Sequence, residues 1–252
     1  MYNRKDHYYK KAKEEGFASR AVYKLEQIQS KFHVIKKSDH VLDLGAAPGG
    51  WMQVVSEWVG SQGLVAGIDL LPLKIQLKPN MRFVRGDIKI PPVPSFSKGG
   101  DSDIPPFAKG GELDIPPFVK GGELDIPPFA KGGELDIPPF VKGGEGGFKY
   151  DVILSDMAPN TSGVAFKDAY LSYELCLMAL DVAKKMLKPG GNFVAKIFQG
   201  EEVENFKKEL QSCFKKVEHY IPPATREGSK ELYLVATKFN IQAPSLAKSN
   251  CS

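Results

Sequence analysis

The chain has 252 residues, 42% hydrophobic and 25% charged, which suits a soluble protein with a real core in one large domain or two small ones. Its start is too polar for a signal peptide and no apolar run approaches membrane-spanning length, so a cytoplasmic protein with no membrane association is expected. Cys176, Cys213 and Cys251 are far apart and odd in number, which indicates neither a disulfide framework nor a metal site.

The net charge of +4 conceals an asymmetry. Residues 98–145 hold five lysines against nine acids, whereas residues 1–40 hold ten Lys/Arg against five Asp/Glu. Clustered positive charge is read either as a site for a polyanionic partner, RNA or DNA first, or equally as a solvated basic face. Residues 1–16 read as a mobile basic arm interleaved with Tyr2, Tyr8 and Tyr9. Ser19 then caps an expected helix in which Ala21, Val22, Leu25, Ile28 and Phe32 recur at helical spacing. Lys24 lies beside that stripe and, on pattern alone, reads as a solvated or snorkelling lysine.

The stretch Val41–Gln53, VLDLGAAPGGWMQ, reads as strand, tight loop and helix, the opening of a nucleotide-binding α/β unit. Pro48 suits the first turn of that helix, and the glycines allow a ligand to lie against the backbone. A dinucleotide site would want G-x-G-x-x-G; here Ala46 and Ala47 occupy the middle of the loop, and no basic residue is nearby to receive a phosphate. A ligand with a ribose and no phosphate, S-adenosylmethionine, fits better than NAD. The next strand, Gly63–Leu71, carries Asp69 in the usual position for a carboxylate that grips a ribose.

A third strand, Met81–Ile88, ends in Asp87, and the alternation of strands and helices implies a parallel sheet with right-handed crossovers. The pattern then breaks. From Asp103 the sequence DIPPF[AV]KGGEL repeats every 11 residues, and residues 91–148 form a low-complexity insert. Each copy carries Pro-Pro and Gly-Gly and offers little to bury, so disorder is expected rather than a solenoid. Lengthening the connection from roughly 15 to about 68 residues costs only ~1.3 kcal/mol of closure entropy.

The α/β pattern resumes with a buried strand, Tyr150–Met157, that ends near Asp156. A long helix follows, with Leu171, Leu175, Met178, Val182 and Met186 on its apolar face and Lys188-Pro-Gly-Gly as its stop. Strand Gly191–Phe198 then carries Lys196 inside an apolar run. A helix near Glu201–Phe214 leads to two closing strands, Lys216–Ile221 and Glu231–Phe239, and residues 241–252 read as a flexible tail. A charge inside a buried strand is costly unless it is paired or used. Lys196 is therefore either simply ion-paired to Asp156 or part of a site. In an open α/β sheet, ligands bind beyond the carboxyl ends of the strands, so Asp69, Asp87, Asp156 and Lys196 converge on one crevice.

Five ordered motifs, Ser19–Leu25, Asp43–Trp51, Ser155–Asn160, Val194–Phe198 and Ser229–Tyr233, resemble the FtsJ-type ribosomal RNA 2′-O-methyltransferases of bacteria. The resemblance covers the chain apart from the tail and residues near 91–148. It implies one Rossmann-like α/β methyltransferase domain over 17–240, with a mostly parallel seven-stranded sheet and a C-terminal antiparallel strand pair. It places a catalytic tetrad on Lys24, Asp156, Lys196 and Glu231, and S-adenosylmethionine contacts on Gly49, Trp51, Asp69, Asp87 and Asp156. The implied reaction is 2′-O-methylation of a uridine ribose in the 23S RNA of the large ribosomal subunit, carried out by a monomer. A 2′-O-methyltransferase of another RNA, such as tRNA, or a non-catalytic RNA-binding assembly factor are the alternatives. A lysine in such a site serves either as the base that takes the 2′-hydroxyl proton or as a group that steers the oxygen lone pair.

Overall fold

The computed structural model describes residues 7–87 and 149–240. The expected insert at 91–148, the tail at 241–252 and the first six residues lie outside the described residues.

Seven strands form a single sheet in the order β3-β2-β1-β4-β5-β7-β6. They are β1 (His40–Leu44), β2 (Leu64–Asp69), β3 (Met81–Arg85), β4 (Tyr150–Ser155), β5 (Leu187–Phe198), β6 (Phe214–Tyr220) and β7 (Glu231–Phe239). The first five pair in parallel, while β7 lies antiparallel to β5 on one side and to β6 on the other. β1 and β4 are central and covered on both faces, so Val41, Leu42, Leu44, Val152, Ile153 and Leu154 are all buried and the strands read as continuous apolar runs.

Five helices accompany the sheet among the described residues: α1 (His7–Glu14), α2 (Val22–Phe32), α3 (Gly50–Val59), α4 (Ala165–Met186) and α5 (Glu202–Cys213). On one face, Leu25 and Ile28 of α2 and Met52 and Val55 of α3 pack with Val41, Val65, Leu154, Val194 and Tyr233. α4 packs on β5, and α5 on β6 and β7. No helix of the described residues is long and apolar enough to cross a membrane.

Several local expectations change. Residues 7–14 are a helix rather than a mobile arm, because Ala12 is buried with Tyr23 and Ala224. Tyr8 and Phe17 pack on the same Tyr23 ring at 5.3 and 6.2 Å. α2 begins at Val22, later than a Ser19 cap would give, and Ser19 Oγ accepts from the Ala21 N–H in the turn that leads into the helix. Pro48 lies outside α3, in the turn before its N-cap Gly49. Residues 70–80 join β2 to β3 without a helix; Leu73 and Ile75 pack on the core cluster, and the Lys74 N–H bonds the Pro48 carbonyl at 2.9 Å. α4 ends at Met186, just before Lys188-Pro-Gly-Gly as expected, but these residues are not a loop: β5 starts at Leu187 and accommodates them as a bulge between the Tyr150–Leu187 and Val152–Asn192 pairs. The face α4 buries is offset from the predicted one. Ala169, Ser172, Cys176, Ala179 and Ala183 face inward, because small side chains let the helix approach β5 closely, while Leu171, Leu175 and Met178 are only partly covered.

Candidate active site

Strand periodicity aims the acceptor side of the site. Lys196 lies opposite Tyr233 in the β5–β7 ladder, and Glu231 is two residues before Tyr233, so all three project from one face of the sheet. That face is the one covered by α2, which brings Lys24 to the same place.

The result is two ion pairs. Lys24 Nζ lies 2.5 Å from a Glu231 carboxylate oxygen, and Lys196 Nζ lies 2.9 Å from Asp156 Oδ1. Lys196 also donates to the Asp156 backbone carbonyl at 2.6 Å, and the Tyr233 hydroxyl donates to Asp156 Oδ1 at 2.8 Å. Lys24 and Lys196 are buried, so the solvated lysine that pattern alone suggests at position 24 is not what forms. Removing one partner of such a pair strands the other charge and costs about 3–5 kcal/mol.

The electrostatics follow from this packing. Burial works against ionisation of Asp156, but Lys196, then Lys24, and the hydrogen bonds from Lys196 and Tyr233 outweigh it and hold the carboxyl below its usual range. Burial first, and then the charges of Asp156 and Glu231, push the Tyr233 phenol well above its ordinary value, so it remains a hydrogen-bond donor. Tyr233 has no part in the tetrad read from the sequence, yet it holds the carboxylate at the centre of it. Its signal was its place two residues after Glu231 on the same strand face.

The other side of the crevice is built around the loop after β1. Gly45 has φ 80° and a Cβ there would lie 2.7 Å from Met157 Cγ; Gly49 has φ 110° and a Cβ there would lie 2.7 Å from Ile75. Both positions combine left-handed backbone with close packing that only glycine permits. Asp69 ends β2 as expected, and its carboxylate accepts from the Ala47 N–H at 2.9 Å and the Leu71 N–H at 2.8 Å. It ties the loop to the strand end, and a carboxylate has lone pairs left for a ribose hydroxyl. Trp51 is in the first turn of α3, but its ring is in the core: Nε1 donates to the Ala21 carbonyl at 2.8 Å and the indole packs on Tyr233 at 6.0 Å. Any contact of Trp51 with a ligand in the loop would use its backbone. Asp87 is exposed, two residues beyond the end of β3.

Asp43 is the residue sequence reasoning missed on this side. It is 1% exposed in β1, and neither carboxylate oxygen has a hydrogen-bond partner among the described residues. Burial, then the neighbouring charges of Asp156 and Asp69, push its carboxyl well above the ordinary value. Three carboxyl groups converging on one glycine-lined turn fit a cationic ligand, and S-adenosylmethionine carries both an ammonium and a sulfonium. The described residues hold no cluster suited to a metal ion.

A doubly wound sheet with an antiparallel C-terminal strand, a glycine-rich turn after its first strand and an acid at the end of its second defines a Rossmann-like methyltransferase. The chain belongs to the FtsJ-like methyltransferase family, whose model matches residues 17–239. S-adenosylmethionine is the cofactor of this class. The chain is 37% identical over 236 residues to the ribosomal RNA large subunit methyltransferase E of Bdellovibrio bacteriovorus, covering 93% of this chain and 96% of that one. It is 35% identical to the protein of the same name from Archaeoglobus fulgidus, covering 95% and 98%. Among solved structures, one from Plasmodium falciparum described as a ribosomal RNA methyltransferase matches with a TM-score of 0.59 at 24% identity, over 88% of this chain and 98% of that one, a likeness of fold.

Proposed function

We propose that the protein methylates the 2′-oxygen of a uridine ribose in 23S RNA of the large ribosomal subunit, in the cytoplasm. The observation that supports this reading best is the acceptor side of the crevice, where Lys24–Glu231 and Lys196–Asp156 meet under Tyr233. A non-catalytic binding factor has no use for two buried ion pairs at that place. The names carried by the relatives over nearly their whole length favour large-subunit RNA over tRNA.

When bound, S-adenosylmethionine supplies an electrophilic methyl group on a sulfonium. Gly49, the Trp51 backbone, Asp69 and Asp87 would hold it, and the Asp43 and Asp156 carboxyl groups would offset its positive charge. The chain's contribution to the transfer is alignment, because an in-line displacement gains most from fixing the attacking oxygen. An ammonium has three donors. Lys196 spends two on Asp156, the carboxylate and the backbone carbonyl, and the third is left for the 2′-oxygen. In this arrangement Lys196 fixes the oxygen so that a lone pair points along the line of transfer. Tyr233 and the Lys24–Glu231 pair keep Asp156 and the β7 end in register. A lone pair of the 2′-oxygen takes the methyl group while the electron pair of the broken C–S bond stays with sulfur. The oxygen, now three-bonded, positively charged and strongly acidic, releases its hydroxyl proton to solvent.

The test is tritium transfer from labelled S-adenosylmethionine to large subunits, to free ribosomal RNA and to tRNA, followed by alkaline hydrolysis. A 2′-O-methyl group blocks cleavage of the adjoining phosphodiester, so label in an alkali-resistant dinucleotide of ribosomal RNA is the expected result. Label on a base, or on tRNA alone, would sink the proposal.

A further inference from the structure

The connection 157–164 leads directly from the end of β4 to α4, and the first turn of that helix presents large rings to solvent. Phe166 is 79% exposed, Tyr170 51% and Val164 44%. Phe166 and Tyr170 are four residues apart and share one helix face, with the exposed Lys167 beside them. The opposite side of the same turn, Asp168, Ala169 and Ser172, is buried. The rings therefore face outward because the packing of the helix fixes them there.

The turn is also held firmly. The Asp168 carboxylate accepts from the Ser162 N–H and Oγ–H, each at 2.7 Å, and from the Gly163 N–H at 3.2 Å. Ser172 Oγ accepts from the Phe198 N–H at 3.1 Å, and the Cys176 thiol donates to the Lys196 carbonyl at 3.1 Å. Gly200 comes so near that a Cβ there would sit 2.8 Å from Ala169 Cβ. These contacts seat α4 on the end of β5 from which Lys196 projects. Tyr170 is backed by Tyr173 at 6.4 Å, and Tyr173 in turn by the buried Phe206 at 6.3 Å, a line of rings running from core to surface.

We propose that Phe166 and Tyr170 form a stacking platform for an unpaired nucleobase of the substrate RNA, next to the acceptor nucleotide, with Lys167 set to meet its phosphate. This rests on the RNA 2′-O-methylation reading above. A strand whose ribose is presented to Lys196 and Asp156 must run on over the adjoining surface, and α4's first turn joins Asp156 through one short loop. Two rings and a valine make a surface the size of one base, far below the roughly 800 Å² per partner of a stable protein interface. Any base offers a π-face, so the platform would position a flanking nucleotide without reading its identity.

The experiment uses the full chain and a short single-stranded RNA carrying 2-aminopurine beside a uridine. Wild-type protein is expected to quench the probe on binding. Phe166→Ala/Tyr170→Ala should weaken binding by roughly 5- to 100-fold and abolish quenching, while S-adenosylmethionine affinity, measured by calorimetry, stays put. Phe166→Leu/Tyr170→Leu keeps the helix and its apolar surface but removes both π-faces, and it is expected to fail in the same way. Wild-type affinity and quenching in the leucine variant would overturn the platform. So would variants that bind free RNA normally yet lose transfer to intact subunits, which would point to a protein contact. If the platform fails while wild-type protein still labels ribosomal RNA, the 2′-O-methylation reading stands; if wild-type protein neither binds nor labels RNA, both fall.

Discussion

The cofactor side and the acceptor side of the crevice are built by different means. Between Asp43 and Asp69 a single strand–loop–helix–strand unit supplies most of the cofactor side, with Asp87 and Asp156 added from later strand ends. It does so largely through backbone shape: left-handed glycines, a loop tied by Asp69, and a tryptophan whose ring is turned away into the core. The acceptor side draws Lys24, Lys196, Glu231 and Tyr233 from α2, β5 and β7, and Asp156 from just beyond β4, and every one of them contributes its side chain. Local backbone shape can tolerate drift in side chains. A constellation assembled from distant strands depends on each member. Damage on the first side should therefore appear as affinity, and damage on the second as rate.

The largest expected effect breaks the acceptor side alone. Lys196→Ala should reduce methyl transfer by roughly 10²-fold or more, the scale of losing the alignment of a reacting atom, while S-adenosylmethionine affinity stays within a few-fold. Asp156 would lose a partner but keep the Tyr233 hydroxyl and its charge interaction with Lys24, so the chain should still fold. Single-turnover rates and calorimetric affinities, measured for the same variant, separate the two quantities. A variant that binds cofactor normally and transfers at more than a tenth of the wild-type rate would show that the acceptor oxygen is aligned by something else.

The cofactor side is sharpened by Asp43→Asn. The folded protein keeps the Asp43 proton at pH values where the unfolded chain, with a carboxyl pKa of about 3.9, has released it. Wild-type stability is therefore fully supported by this group below that value and declines as pH rises towards the raised folded pKa. Asparagine removes the term. Without cofactor, the variant should melt at a higher temperature than wild type near pH 7–8, by roughly a few degrees, and the gap should close near pH 4. The same variant should lose about 10- to 100-fold in S-adenosylmethionine affinity, the scale of a hydrogen bond to a charged group. A lower melting temperature at pH 8 would mean that Asp43 is satisfied as a carboxylate in the folded state.

The same contrast explains what could be read from the chain. The loop after β1 is legible because strand, turn and helix signals are contiguous, and Lys196 stands out as a charge in an apolar run. Asp43 met that same criterion, lying between Leu42 and Leu44, but its place inside the motif concealed it. Tyr233 matters through the pairing of β5 with β7, and strand pairing is a property of the fold. Lys24 looked solvated because nothing nearby in sequence reveals that Glu231 lies 2.5 Å from it. The helix at His7–Glu14 was missed for a related reason: an eight-residue segment with so little apolar surface is stable only because Ala12, Tyr23 and Ala224 close over one another.

That helix yields the smallest and most graded prediction, which extends the acceptor side outward to the RNA it is proposed to hold. α1 packs on Tyr23, the residue before Lys24, so its basic surface is carried at a fixed place relative to the tetrad. Lys11 is partly committed within the fold, lying 4.8 Å from the Tyr23 ring and 3.8 Å from Glu15. Lys10 and Lys13 are exposed. If these two contact phosphates, Lys10→Ala and Lys13→Ala should each lower the log–log salt slope of RNA binding by roughly 0.7–0.9, and the double variant by the sum. Lys11→Ala should change the slope less and instead lower stability slightly, because it removes a cation over a packed ring, worth about 0.5–1 kcal/mol at an exposed site. The measurement is RNA affinity across a salt series for each variant. Equal slopes in all of them would confine α1 to covering Tyr23, and phosphate binding would then have to lie elsewhere on the protein.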